Sequence, residues 1–427
     1  MKKNIGNELK LWLFCAAIGA VSGIVFWLFL LAVKEGTALL WEVIPGDEPS
    51  GVYPLIVCSA GGLLIGIFRK IFGDYPEDMM IVLGKVKKTG TYPYRKMLIL
   101  IVAALLPLIF GSSVGPEAGM VGIITALCCW AGDNLRFAGS RSSMYSRIGA
   151  SVSLSVMFHS PLFGIFEVEE NDEPSSDEGV LPKSTKILVY CIAAGAGFGC
   201  FYLLNQIFGK VTEGFPTFSN ISLGVWDYIL FILYLACGIL LGVFFEYSEQ
   251  FFSRISEKLP AVASEVIAGI VLGGIACLLP VIKFSGEEQM GILIRDYALY
   301  APVAMIGIGL LKVILTNMCI RLGLKGGHFF PLIFGAVCVG YGVALIFFPG
   351  DASHATFAAA IVTAGTLGVT MKKPLAVSML LLLCFPIKSL LWIVPAAALA
   401  SLAAKYIHVG DMRISFGRPT DAEQSSD

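Results

Sequence analysis

Long apolar stretches recur along this 427-residue chain, separated by short polar breaks. The first, residues 11–33 (LWLFCAAIGAVSGIVFWLFLLAV), carries no charge and exceeds the roughly 20 residues a helix needs to cross about 30 Å of hydrocarbon. It predicts a membrane-spanning helix. It lacks a short apolar core followed by an A-x-A site, so it reads as a first span and not as a removable signal peptide. Further apolar runs fall at 52–68, 97–116, 118–132, 148–166, 187–209, 229–245, 266–282, 297–311, 326–350, 353–371, 374–387 and 389–404. Several are only about 14 to 17 residues long and are broken by Gly and Pro. Broken backbone at membrane depth is tolerated only where protein or water satisfies the freed polar groups. The pattern therefore predicts an all-α, polytopic membrane protein with a pathway lined by re-entrant and broken helices.

The polar breaks give orientation and organisation. Lys2, Lys3 and Lys10 precede the first span, residues 34–51 carry only Lys34 among basic side chains, and the next break holds Arg69, Lys70, Lys85, Lys87, Lys88, Arg95 and Lys96. The positive-inside rule places the N-terminus and residues 69–96 in the cytoplasm. Residues 167–186 (EVEENDEPSSDEGVLPKSTK) are rich in Asp, Glu, Ser and Pro and predict a division between two halves. The expected layout is a tail at 1–10, a membrane domain at 11–407 and a polar tail at 408–427 too small for a regulatory domain. Within the membrane domain, 11–170 is the first half, 171–186 the connection and 187–407 the second half.

The halves share landmarks. Gly111–Pro116 reads GSSVGP and Gly326–Pro331 reads GGHFFP, each at the mouth of an apolar run. A second proline follows at Pro161 (PLFG) and Pro374 (PLAV), 45 residues (161 − 116) and 43 residues (374 − 331) downstream. Matched landmarks at nearly equal spacing predict an internal repeat, an architecture that puts transport sites at the repeat interface.

Composition narrows the function. Only 14% of residues are charged against 56% hydrophobic, and mean hydropathy is +0.80, values outside the soluble range. A net charge of −1 without long charged blocks gives no nucleic-acid footprint. The eleven cysteines lie mostly in apolar runs without CxxC pairs and read as small core residues, not disulfides or metal ligands. The four histidines (His159, His328, His354, His408) form no motif, and H-E-x-x-H does not occur. An embedded enzyme is thus a remote alternative, and no cofactor is implied.

A Gly-to-Pro step at the start of a helix has a mechanical meaning. Proline suits the first turn, and glycine lets backbone approach a ligand. The helix start then exposes free N–H donors and the positive end of a dipole. Two such starts aimed at one point would bind an anion without a full positive charge, which would hold the ion too tightly to conduct. Neither GSSVGPEAG nor GGHFFP contains Arg or Lys.

These segments resemble those of the CLC chloride channels and proton-coupled chloride transporters. GSSVGPEAG is similar to the family's G-[KR]-E-G-P segment, GGHFFP to G-x-F-x-P, and FGDYP (Phe72–Pro76) to G-S-G-x-P. RIGASVSLSVMFHSPLFGIFEVEE (Arg147–Glu170) resembles the helix pair ending P-L-x-G-x-x-F-x-x-E-E, and GTLGVTMKKPLAVSML (Gly365–Leu380) a late proline-bearing helix. The resemblance implies a homodimer in a lipid bilayer, most simply a bacterial inner membrane, with a pore in each subunit made by two inverted halves. The anion path it implies runs past Gly73, Asp74, Ser113, Val114, Gly115, Pro116, Gly327, His328, Phe329 and Phe330, with amides of 114–115 and 328–330 meeting the ion.

The departures from the family pattern matter as much. Val114 occupies the gating-glutamate position, Gly73 the position of a central serine, and Asn171, with Glu170 as neighbour, the inner proton-transfer position. Tyr406 is the one tyrosine placed to supply the family's anion-binding hydroxyl. Passive passage of chloride or a similar anion is therefore the expected function. Proton-coupled exchange through substitute acids such as Glu117 and Glu170 is the alternative. Glu117 reads as a cap on its helix dipole or as a displaced gate, Asp74 as an N-cap ahead of Pro76, and His328 as a packed residue or a sensor. Glu167, Glu169 and Glu170 read as a solvated helix end.

Overall fold

The computed structural model describes residues 2–407 except 47–49, 90, 135–141, 159, 170–182, 213, 215, 219, 220 and 222. Glu170, Asn171, His159, His408 and the tail 408–427 lie outside the described residues. So does most of the predicted connection, although a helix already begins at Lys183.

Regular structure among the described residues is helical. The first half contains α1 (Lys2–Ala38, with a π-helical extension Leu39–Val43), α2 (Tyr53–Phe72), α3 (Met79–Thr89), α4 (Met97–Ile109), α5 (Glu117–Asn134), α6 (Ser142–Met157) and α7 (Pro161–Glu169). The second contains α8 (Lys183–Phe208), α9 (Val225–Ser256), α10 (Ala263–Leu278), α11 (Glu287–Arg295), α12 (Pro302–Arg321), α13 (Phe329–Phe347), α14 (Ala352–Met371), α15 (Pro374–Cys384) and α16 (Leu390–Tyr406). Helices α1, α2, α8, α9, α12, α13, α14 and α16 are long and apolar enough to span a bilayer, whereas α4, α10 and α15 are apolar but short. The run 148–166 splits into α6 and α7 because Pro161 opens a new helix, and Pro374 likewise opens α15. These two helices pack on each other across the halves.

Burial sorts the helices into layers. Helix α13 buries every residue from Phe329 to Leu345, and α5 is buried along most of its length. A helix that is apolar all round belongs in the centre of such a bundle. The outer helices α1, α2, α8 and α9 expose Leu13, Ile56, Leu203 and Ile232, as lipid-facing surfaces do. Glycine brings outer helices to their partners. A Cβ at Gly19 of α1 would lie 2.1 Å from the Ala193 carbonyl oxygen of α8, and one at Gly269 of α10 would lie 2.3 Å from the Cys58 carbonyl oxygen of α2. Close backbone approach of this kind is how helices associate where lipid supplies no hydrophobic drive.

Buried polar side chains are tied between elements. Asp227, in the first turn of α9, lies 2.9 Å from His354 Nδ1 on α14, which gives His354 a structural role. Glu167 is also buried, contrary to a solvated helix end, and its Oε1 lies 2.8 Å from Lys373 Nζ. The pair joins the end of α7 to the residue preceding α15. The eleven cysteines carry free thiols.

Candidate functional site

Two loops, one from each half, meet inside the bundle. Helix α4 ends at Ile109, the chain turns through Gly111 (φ +80°), and α5 starts at Glu117. In the second half, α12 ends at Arg321, Gly323 (φ +106°) turns the chain, and His328 precedes α13. The loops pair in antiparallel fashion, the Gly115 N–H donating to the Gly327 carbonyl (2.8 Å) and the Gly327 N–H to the Gly115 carbonyl (2.7 Å). The two helix starts predicted from the Gly-to-Pro steps thus converge.

The pairing changes which groups can meet an ion. The Val114 N–H donates to the Ser112 carbonyl at 2.8 Å, and Gly115 is committed to Gly327. Neither amide is left for an anion as expected. At the start of α13 a carboxylate already fills the expected position: Glu117 is 0% exposed and its Oε1 accepts the Phe330 N–H at 3.1 Å. Its Oε2 has no hydrogen-bond partner. The side chain is cradled by two glycines, since a Cβ at Gly115 would fall 1.9 Å from Oε2 and one at Gly327 2.0 Å from Cδ. Glu117 therefore serves the helix of the opposite half, where a negative charge is favoured by the dipole and by unpaired amides. Val114 points elsewhere. It is buried in the core, with its Cγ2 2.4 Å from where a Cβ on Gly326 would be.

A cavity of about 980 Å³ leads to this point from the face bearing Arg69 and Lys325, reaching Ala118, His328 and Phe329. Its mouth is charged. Arg69 bridges Asp74 and Glu265, Lys325 Nζ lies 2.5 Å from Asp74 Oδ2, and Arg321 pairs with Glu249. Asp74 is thus an ion-pair partner at the mouth and not an N-cap. Asp78 caps α3 instead, accepting the Met80 N–H at 2.8 Å. His328 stacks on Phe329 (centroids 4.4 Å apart) and its Nδ1 lies 4.0 Å from Asp78 Oδ2. Gly73 (φ +103°) ends α2 and brings no hydroxyl. Tyr406 does not supply one either: it is 84% exposed at the end of α16 and does not line the cavity.

Aromatic side chains close the site laterally. Phe158, just after α6, stacks on Phe330 (5.0 Å, 10°) and meets Phe329 edge-on (6.0 Å). The Ser113 hydroxyl lies 3.3 Å from that of Thr316 on α12, and Pro116 accepts the Met120 N–H. Sequence reasoning missed Phe158, the Glu167–Lys373 pair and Lys312. Only the last had a sequence signal, being a lone charge inside an apolar run.

The sequence profile of the voltage gated chloride channel family matches residues 61–405. The chain belongs to that family. Solved CLC structures superpose on it along most of its length. A slow cyanobacterial Cl−/H+ antiporter is 17% identical with a TM-score of 0.74, covering 92% of this chain and 94% of its own. A CLC-type fluoride/proton antiporter gives 19% and 0.73 over 93% and 95% of the two chains. A eukaryotic CLC transporter gives 16% and 0.70 over 93% and 72%. No curated protein matches the chain. The CLC fold of inverted halves with broken helices is therefore present, with the Glu117 carboxylate at the meeting point of its two re-entrant starts.

Proposed function

We propose that this CLC-family protein conducts chloride or a similar small anion passively, through the junction of α5 and α13, and that Glu117 is its gate. One observation carries the reading: the Glu117 carboxylate, an anion tethered to the chain, accepts the Phe330 N–H at the start of α13. Ionised, it excludes a second anion from that position. Protonated, it loses its charge-assisted hydrogen bond and yields to a free ion. The positive-inside reading makes the cavity at Arg69 and Lys325 the cytoplasmic vestibule.

Passive conduction is favoured because alternating access needs a barrier on each side of the site. Here the vestibule runs from its mouth to Phe329 and Ala118, beside Glu117, with neither Gly73 nor Tyr406 supplying a hydroxyl constriction. A second reading, exchange of anions for protons, is favoured by the proton-carrying capacity of Glu117 and by the antiporters among the structural relatives. Proteoliposomes loaded with chloride, with efflux and internal pH recorded together, decide between them. We expect chloride efflux without stoichiometric proton movement; protons driven uphill by a chloride gradient establish exchange instead.

A further inference from the structure

Lys312 lies midway along the 20-residue α12, roughly 15 Å from either end at 1.5 Å per residue. It is 0% exposed. An ionisable group at that depth is costly and marks a functional position by default. Its Nζ donates to three backbone carbonyls, those of Ile282 (2.8 Å), Lys283 (3.3 Å) and Phe284 (2.7 Å). Three acceptors match the three protons of an ammonium, whereas a neutral amine has only two. Ion pairs among the described residues engage Arg69, Lys85, Arg321, Lys325, Lys372 and Lys373, but not Lys312. Its charge is met by dipoles and not cancelled by a carboxylate, so its field extends into its surroundings.

Those surroundings are the walls of the anion site. The Phe284 N–H donates to the Gly111 carbonyl at 3.3 Å, joining the carbonyl-bearing segment to the loop before α5. Trp41 reinforces that junction, its ring 5.6 Å from Phe284 and its Nε1 donating to the Ile109 carbonyl at 2.9 Å. One turn along α12, Thr316 contacts Ser113. Lys312 Nζ also stands 5.5 Å from the Phe334 ring, one turn beyond the Phe330 amide that holds Glu117.

We infer that Lys312, as an ammonium held by three carbonyls, is a buried positive charge of the anion path, raising the anion affinity of the α5–α13 site while tying the 282–284 segment to the loop that builds it. The inference rests on the proposed conduction route. Placing the charge behind a layer of carbonyls, not in direct contact with the ion, provides attraction without a trap. Lys312 is thus a positioning residue.

The test is chloride binding by titration calorimetry on the purified protein carrying Glu117→Gln, which removes the competing carboxylate. The arms are the native lysine, Lys312→Arg, Lys312→Gln and Lys312→Met. Loss of a unit charge that acts over about two helical turns (~11 Å), at an effective dielectric near 20, lowers affinity by roughly tenfold. We expect that loss in the Gln and Met variants, with Arg within about threefold of lysine, which is about 0.7 kcal/mol. Glutamine keeps two N–H donors without the charge, so a Gln variant that binds chloride like the parent overturns the inference and leaves Lys312 a mere tie. An Arg variant as weak as Gln overturns it too. If Met fails to fold, the Arg and Gln arms decide. No chloride binding even with Lys312 intact defeats the reading of the site itself.

Discussion

At the residue scale the decisive side chain is Glu117, and it is three positions from where the family pattern would place a gate. Val114→Glu should therefore fail as a substitute gate. It puts a carboxylate into the packed core against Gly326, and an uncompensated buried charge costs about 3 to 5 kcal/mol. The expected outcome is a large fall in thermal stability, read by fluorescence-detected size exclusion after heating. Glu117→Gln should conduct with little dependence on pH, whereas the parent should conduct faster as pH falls and the carboxylate takes up a proton. The sign follows from charge: the ionised form occupies the site, so acid opens it. Efflux measured between pH 4 and pH 9 checks both; an equally steep pH profile in the glutamine variant removes Glu117 from the gate.

Between elements, glycines set what can approach. The nearest neighbours of a Cβ at Gly115 or Gly327 are the atoms of the Glu117 carboxyl end, the movable tip of a flexible side chain. Gly327→Ala should thus displace the carboxylate and raise flux at neutral pH several-fold, with a shallower pH profile, while the fold persists. Efflux unchanged from the parent at neutral and acid pH would show that the glycine cradle does not hold the gate. Gly269→Ala should behave differently, because its Cβ meets the backbone of α2. Forcing the helices apart costs about 1 to 3 kcal/mol, as overpacking does, visible as a lower midpoint of thermal unfolding with normal pH dependence. Helices α3 and α11 show where pattern reading stopped. Their segments, MMIVLGKVKKT and EEQMGILIR, are short and mix charge with apolar residues, so neither stands out as an apolar run.

At the scale of the whole molecule, the proposed route runs from the charged cavity mouth to one gate at Glu117. A protein with a single gate conducts down a gradient, so reversing the chloride gradient across proteoliposomes should reverse chloride flux while protons stay uncoupled. Sustained uphill proton transport in that assay would count against the single barrier. The vestibule also explains why polar residues at its mouth were hard to assign from sequence. Asp74 pairs with Arg69, five residues earlier, and with Lys325, far along the chain; only the second partner is beyond the reach of local reasoning.

By itself the sequence determined that the chain is helical, lives in a bilayer, repeats in two halves and brings two Gly-to-Pro helix starts to its interior. These follow from local quantities: length of apolar runs, positions of charge, and the conformations Gly and Pro permit. The tertiary structure decided which groups those helix starts hold. That Glu117 crosses to the Phe330 amide, that Gly115 pairs with Gly327 instead of waiting for an ion, that Glu167 is buried against Lys373 and that Tyr406 faces outward all depend on contacts between residues distant in sequence or on the final direction of a helix face. A motif specifies the donors a helix start exposes; only the packing of the other half specifies what accepts them.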